Sequence, residues 1–294
     1  MKNHQVGNIE ISRIIETEGP DWAPLDFFPD CTQDMLRSQM SWLQPRFLEP
    51  ASGKLIFTTQ SYLLQTKHHN ILIDACVGEN KERAYSPSWH LRENTDYLEK
   101  LAATGLSTDS IDYVLCTHLH PDHVGWNTKL VDGRWIPTFK NAKYVFARTE
   151  YEFWKAKSAK HPTKYDDGCY QDSVLPVEEA GQAEVVANTH GLTDEIILEP
   201  SPGHTPGHTS IKIQSRGSHA IFSGDLIHSV LQCVYPELVS RACFDKELAR
   251  QTRKTFLQAA CESGTQVFTA HFPSPSAGHI KSAGDSYRFI YSDD

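Results

Sequence analysis

The sequence has no run rich in lysine or arginine, and its 28 basic side chains are outnumbered by 37 acidic ones, for a formal charge of −9 over 294 residues. A general nucleic-acid binder needs a basic stripe to neutralise phosphates, so that class of partner is not expected. An anionic substrate would have to be drawn by bound metal ions and not by the overall field. No apolar run approaches the roughly 18 residues of a membrane span, and Met1-Lys2-Asn3-His4-Gln5-Val6-Gly7 contains no signal-peptide core. The expectation is a soluble, cytoplasmic chain with no membrane partner. Cys-x-x-Cys is absent as well. The cysteines, at 31, 76, 116, 169, 233, 243 and 261, are odd in number, which suits reduced thiols better than a disulfide framework or a zinc knuckle.

What the chain does have is Thr117-His118-Leu119-His120-Pro121-Asp122-His123-Val124-Gly125, directly after the apolar run Tyr113-Val114-Leu115-Cys116. Imidazole and carboxylate suit zinc and neighbouring divalent ions. Alternation puts His118 and His120 on one side of an extended segment, and Asp122 and His123 follow as the chain turns. A strand end that offers donors in two directions suits two adjacent ions better than one. Further candidate ligands stand downstream at His204, Asp225 and His271. Seven donors are enough for two ions with positions left open, and open positions mark catalytic sites.

His-x-His-x-Asp-His after an apolar strand resembles the signature of the metallo-β-lactamase-fold hydrolases. The superfamily's other motifs resemble, in order, Ile71-Leu72-Ile73-Asp74, Pro202-Gly203-His204-Thr205-Pro206-Gly207-His208, Phe222-Ser223-Gly224-Asp225 and Ala270-His271. The match covers roughly residues 55 to 280. It implies an α/β fold in which two mixed sheets flanked by helices form a four-layer αββα sandwich. It also implies His118, His120 and His204 on one ion, Asp122, His123 and His271 on the other, and Asp225 bridging both. Asp74 would orient a ligand histidine. Zinc is the default ion, with manganese, cobalt or iron also accepted by such a site. The nucleophile would be a hydroxide bridging the two ions, with Asp122 taking up the proton after attack.

The expected substrate is a small ester or lactone. The residues around Phe222–Ser229 and Ala270–His279 resemble a methyl-parathion-hydrolase-like and lactonase-like branch, which adds organophosphate triesters to the expectation. His228, three residues after Asp225 on the expected rim of the pocket, stands where many acyl-homoserine lactonases of the superfamily look to have a tyrosine that hydrogen-bonds the substrate carbonyl. It is expected to be catalytic, as a donor to the developing oxyanion. Histidine there argues against a strict acyl-lactone preference. His208 is expected to support the site without ligating. A glyoxalase-II-like thioesterase is an alternative, though no basic C-terminal patch for glutathione is visible. A redox member of the fold is another, but its kin resemble His-x-Glu-x-Asp and position 120 is histidine. A class B β-lactamase would carry a cysteine near Asp225.

Along the chain, strands are expected at 6–15, at 56–65 and 70–74 as a hairpin of outer strands, and at 112–116, 143–147, 195–198, 209–213, 219–222 and 266–270. Helices are expected at 94–104, 149–157 and 245–261, the last between Asp245 as N-cap and Gly264 as stop. Residues 158–172 read as an exposed loop. Candidate ligands spread from His118 to His271 imply one domain over 1–294, and a homodimer is left open. Within it, an apolar arm over about 18–52 carries Trp22, Phe27, Phe28, Trp42 and Phe47, with a short helix at 33–41 capped by Asp30 or Thr32. That arm either packs on its own core or on a second subunit, or walls the metal site.

Overall fold

The computed structural model describes residues 3–161 and 168–292. The first sheet is built from His4–Val6 (β1), Ile9–Pro20 (β2), Ile56–Gln65 (β3), Asn70–Ile73 (β4) and Tyr113–Leu115 (β5). A separate hairpin, Thr128–Val131 (β6) with Arg134–Pro137 (β7), interrupts the run before Lys143–Ala147 (β8) and Ala183–Val186 (β9) complete the sheet in the order β1-β2-β3-β4-β5-β8-β9. Strands β4, β5, β8 and β9 run parallel, and β3 pairs antiparallel with β4. The β3–β4 hairpin has the expected ends but not the expected place. Its strands are the third and fourth of seven, because the run Ile71-Leu72-Ile73 is fully buried and takes β5 as a parallel partner. The expected opening strand is two strands bent at Gly7, whose φ of 58° and close approach to Ser215 leave no room for a side chain.

The second sheet runs in chain order through His190–Gly191 (β10), Ile196–Pro200 (β11), Thr209–Ser215 (β12), Ser218–Phe222 (β13), Gln266–Phe268 (β14), Ala277–Ala283 (β15) and Ser286–Tyr291 (β16). It is also mixed: β13 and β14 are parallel, whereas β14–β15 and β15–β16 are antiparallel. The helix Lys246–Ser263 begins where the Asp245 carboxylate accepts the Leu248 N–H at 3.0 Å and ends at Gly264 in the left-handed region.

The chain divides into two compact units, one of Met1–Glu16, Thr59–Ile197 and Gln214–Ser218, the other of Thr17–Thr58, Leu198–Ile213 and His219–Asp294. The first has a core of Leu63, Leu72, Val114, Tyr97, Trp126, Tyr144 and Phe146 among others. The second closes around Phe28, Leu43, Ile227, Leu231, Leu257, Val267 and Phe272. The apolar arm is part of that second core. Its helix Gln33–Leu43 is capped by Thr32, whose hydroxyl accepts the Met35 N–H. Phe27, Phe28, Leu36, Leu43 and Phe47 are buried, each large side chain contributing roughly 1.5–3 kcal/mol by leaving water.

The expected exposed loop at 158–172 is corrected at both ends. The helix Arg148–Lys160 runs on to Lys160, and Cys169–Ser173 is a short helix with four of its five residues buried, while residues 162–167 and Pro162, Asp166 and Asp167 with them lie outside the described residues. Arg83 explains the second correction: it holds Asp172 with two hydrogen bonds of 2.8 and 2.9 Å, and Lys81, also fully buried, lies 3.5 Å from the same carboxylate. Among the described residues no helix is long and apolar enough to cross a membrane.

Candidate metal centre

In the first unit the donors gather where β5 ends. Leu115 is the last residue of the strand, and the chain leaves the sheet after Cys116, whose N–H still donates to Val145 O at 3.2 Å. Asp74 stands at the end of the neighbouring β4, with a φ of 57° that an aspartate tolerates better than most side chains. Its carboxylate accepts the Thr117 N–H at 2.7 Å and the Thr117 hydroxyl at 2.9 Å, and takes the Nδ1 of His123 at 2.8 Å. His118 is held likewise, its Nδ1 3.1 Å from the Thr117 hydroxyl. With Nδ1 engaged, each ring presents Nε2 to its surroundings, the arrangement that metal-binding imidazoles adopt. His118 Nε2 lies 3.0 Å from His120 Nδ1, and His123 Nε2 lies 3.7 Å from the Asp122 carboxylate. This unit therefore offers two pairs of donors.

The loop after Asp74 is tied to the same turn by backbone hydrogen bonds. Ala75 N–H donates to His123 O at 2.7 Å and Gly125 N–H to Cys76 O at 2.7 Å. A β-carbon at Gly125 would lie 1.8 Å from the Val77 carbonyl oxygen, and one at Gly78 would lie 2.8 Å from the Gly125 backbone. Glu16, buried beneath them, accepts the N–H groups of Val77 and Gly78 at 3.0 Å and the Trp126 indole at 2.8 Å. Burial pushes its carboxyl up, against the opposing pull of Arg92.

In the second unit the centre is Asp225, which follows β13 and is 3% exposed. Its two oxygens face different histidines: Oδ2 lies 3.0 Å from His204 Nε2, and Oδ1 lies 2.9 Å from His271 Nε2. Each ring is fixed from behind. His271 Nδ1 bonds the Thr58 carbonyl at 2.9 Å, and His204 Nδ1 lies 3.5 Å from the Cys243 thiol. Burial works against a proton on His204, but Asp225 and then Cys243 outweigh it and raise the ring to about 10 in the metal-free protein.

His208 supports the set as expected: its Nε2 accepts the Asp225 N–H at 2.9 Å, and its Nδ1 lies 2.8 Å from the Ser201 hydroxyl. His228 lies closer in than a rim residue. It is 3% exposed, its Nε2 is 3.2 Å from Asp225 Oδ2, and its ring stacks on His271 at 5.7 Å. Burial chiefly, with the neighbouring imidazoles, drops it to about 4, so it is neutral at pH 7. Neither ring nitrogen has a well-aligned hydrogen bond among the described residues. The arm reaches this corner through Phe27, whose ring meets His228 edge-on at 5.3 Å, and Phe57 stacks on His271 at 4.2 Å.

All of His118, His120, Asp122, His123, His204, Asp225, His228 and His271 thus fall into two tight clusters, one in each unit, and none is stranded on the surface. Of their supports, Asp74 and His208 were expected from the sequence, and the others were missed. Thr117 is adjacent to the motif and was visible as a hydroxyl there; the Thr58 carbonyl and the Cys243 thiol carry no signal in sequence.

Residues 56–260 match the family model of the metallo-β-lactamase superfamily. An N-acyl homoserine lactonase from Bacillus thuringiensis is 26% identical over 230 residues, which are 74% of this chain and 83% of the relative. The structure of AidC, a dizinc quorum-quenching lactonase in complex with a product, is similar with a TM-score of 0.77 and 21% identity over 99% of this chain and 97% of that one. A hydrolase of the β-lactamase superfamily, AbOPH, gives 0.80 and 23% over 98% and 96%. At such identities the structural likeness establishes the fold, and the family model covers most of the chain with every histidine motif but the last. The chain belongs to the metallo-β-lactamase superfamily.

Proposed function

We propose that the protein is a metal-dependent lactonase that opens N-acyl homoserine lactones or close ester analogues, its two units acting as one functional domain. Two groups of donors would each hold an ion: His118, His120, His204 and Asp225 one, and Asp122, His123 and His271 the other; Asp225, with an oxygen on each side, would serve both. The observation that carries this reading is Asp225 itself, one oxygen directed at each of two histidines whose Nδ1 atoms are already engaged. Imidazole and carboxylate donors fit zinc, the ion we favour. Two ions so held supply Lewis acidity and an activated water.

The chain's own groups account for the rest. His228, neutral at pH 7, would donate an N–H to the substrate's carbonyl oxygen as negative charge grows there, which gives its unbonded ring nitrogen a partner. Asp122 would take the proton released as water adds to the carbonyl carbon and pass it to the ring oxygen when the C–O bond breaks. Phe27 and Phe57 would bear on the apolar acyl chain. The relatives named as lactonases support the substrate class. The test is metal analysis followed by hydrolysis of a panel of acyl homoserine lactones, aryl esters, thioesters and phosphotriesters. Thioesters turning over much faster than lactones would replace this reading with the thioesterase one.

A further inference from the structure

The segment 118–120 has left the sheet, so the Leu119 N–H has no strand to bond and needs another acceptor. It finds Glu150, from the first turn of the helix Arg148–Lys160, at 3.0 Å. The same oxygen, Oε1, accepts the Trp154 indole N–H at 2.7 Å one helical turn on. The Trp154 ring then stands edge-on against His120, 5.5 Å between centroids. One carboxylate, 1% exposed, therefore fixes both the peptide that joins His118 to Leu119 and the ring beside His120. The Leu119 carbonyl is gripped from the next helix, where the Cys169 thiol donates at 3.5 Å. A buried carboxylate is costly unless donors surround it, and here the Leu119 N–H lies within the histidine motif and the Trp154 indole lies beside it.

We propose that Glu150 is a positioning residue for His120: it sets the direction of that imidazole through the Leu119 peptide and the Trp154 ring, and so sets the affinity of one ion. The inference rests on the reading of His118 and His120 as ligands. What matters in it is the place of the acceptor oxygen, and charge is secondary. Two conservative variants separate these. Glu150→Gln keeps an oxygen at the same reach; Glu150→Asp keeps the charge but withdraws the oxygen by one methylene.

The experiment loads wild type and both variants with cobalt(II), records the d–d absorption, and follows release of each ion to a chelator, with His120→Ala alongside. Glu150→Asp is expected to hold one ion about 10–100-fold more weakly, the effect of removing the support of a metal ligand, with an altered cobalt band and the other ion retained. Glu150→Gln is expected to track the wild type. Equal behaviour of Glu150→Asp and wild type overturns the inference, as does a larger loss in Glu150→Gln, or simultaneous loss of both ions together with a lowered melting temperature. If His120→Ala binds cobalt as well as the wild type, the ligand reading fails first and the inference with it.

Discussion

Replacing His228 by Phe removes a donor while leaving a ring of similar size between Phe27 and His271, so the packing seen at 5.3 and 5.7 Å survives. Two consequences follow from one substitution. If His228 donates to the developing oxyanion, kcat on an acyl homoserine lactone falls about 10²–10³-fold with metal content unchanged, the usual cost of deleting such a donor. The second consequence is thermodynamic. His228 falls from an ordinary 6.5 to about 4 on burial, so between those values the unfolded chain binds a proton that the folded chain refuses. Stability contributed by the neutral ring is complete above pH 6.5 and is lost as pH falls toward 4, roughly 3 kcal/mol in full and about 2 by pH 5. The Phe variant lacks that loss. Urea unfolding of the chelator-treated proteins at pH 7 and pH 5 should show the wild type losing more stability than the variant, by about that 2 kcal/mol. His204 does not blur the comparison: raised to about 10, it loses its contribution on the alkaline side. An unchanged kcat would end the donor role, and equal acid sensitivity of both proteins would show that the ring is not buried neutral.

Other expectations are simpler. Elemental analysis after gentle purification should find close to two divalent ions per chain; Asp225→Ala should lose them and the activity, whereas His279→Ala, whose ring bonds the Gly264 carbonyl, should retain both. Phe27→Ala should raise KM for long acyl chains and spare short ones, measured as KM against chain length. Asp172→Ala should destabilise the fold by about 3–5 kcal/mol in urea titration, because it strands the buried Arg83 and Lys81 without their carboxylate. Lys81, already lowered to about 7 by burial, would then shed its proton, which softens the loss at high pH.

The metal motif was legible because its chemistry is local: His118 to His123 fill six positions, and no other use explains so many donors after an apolar strand. Helix limits such as Asp245 and Gly264 were legible for the same reason, a cap and a stop being written in single residues. The hairpin Thr128–Pro137 and the last two strands went unseen, since exposed strands such as β7 carry charges and aromatics without clear alternation. The place of β4 inside its sheet depends on which strand comes to lie beside it, and no turn signal encodes that. Asp74 shows the middle case. Its position at a strand end was visible, but its hold on His123 exists only once the chain from 115 to 123 has folded back.

Gly125 and Gly78 meet backbone to backbone beneath the ligand-bearing turn. Any side chain at either position pushes apart the loops that carry Asp74 and His123. These two codons are therefore a bottleneck for adaptation: a lineage, or a laboratory library, can explore new substrates through the arm around Phe27 and the ring at position 228, but it cannot travel through 78 or 125. Variation recovered from a selection for new ester substrates should cluster in the former and leave the latter untouched.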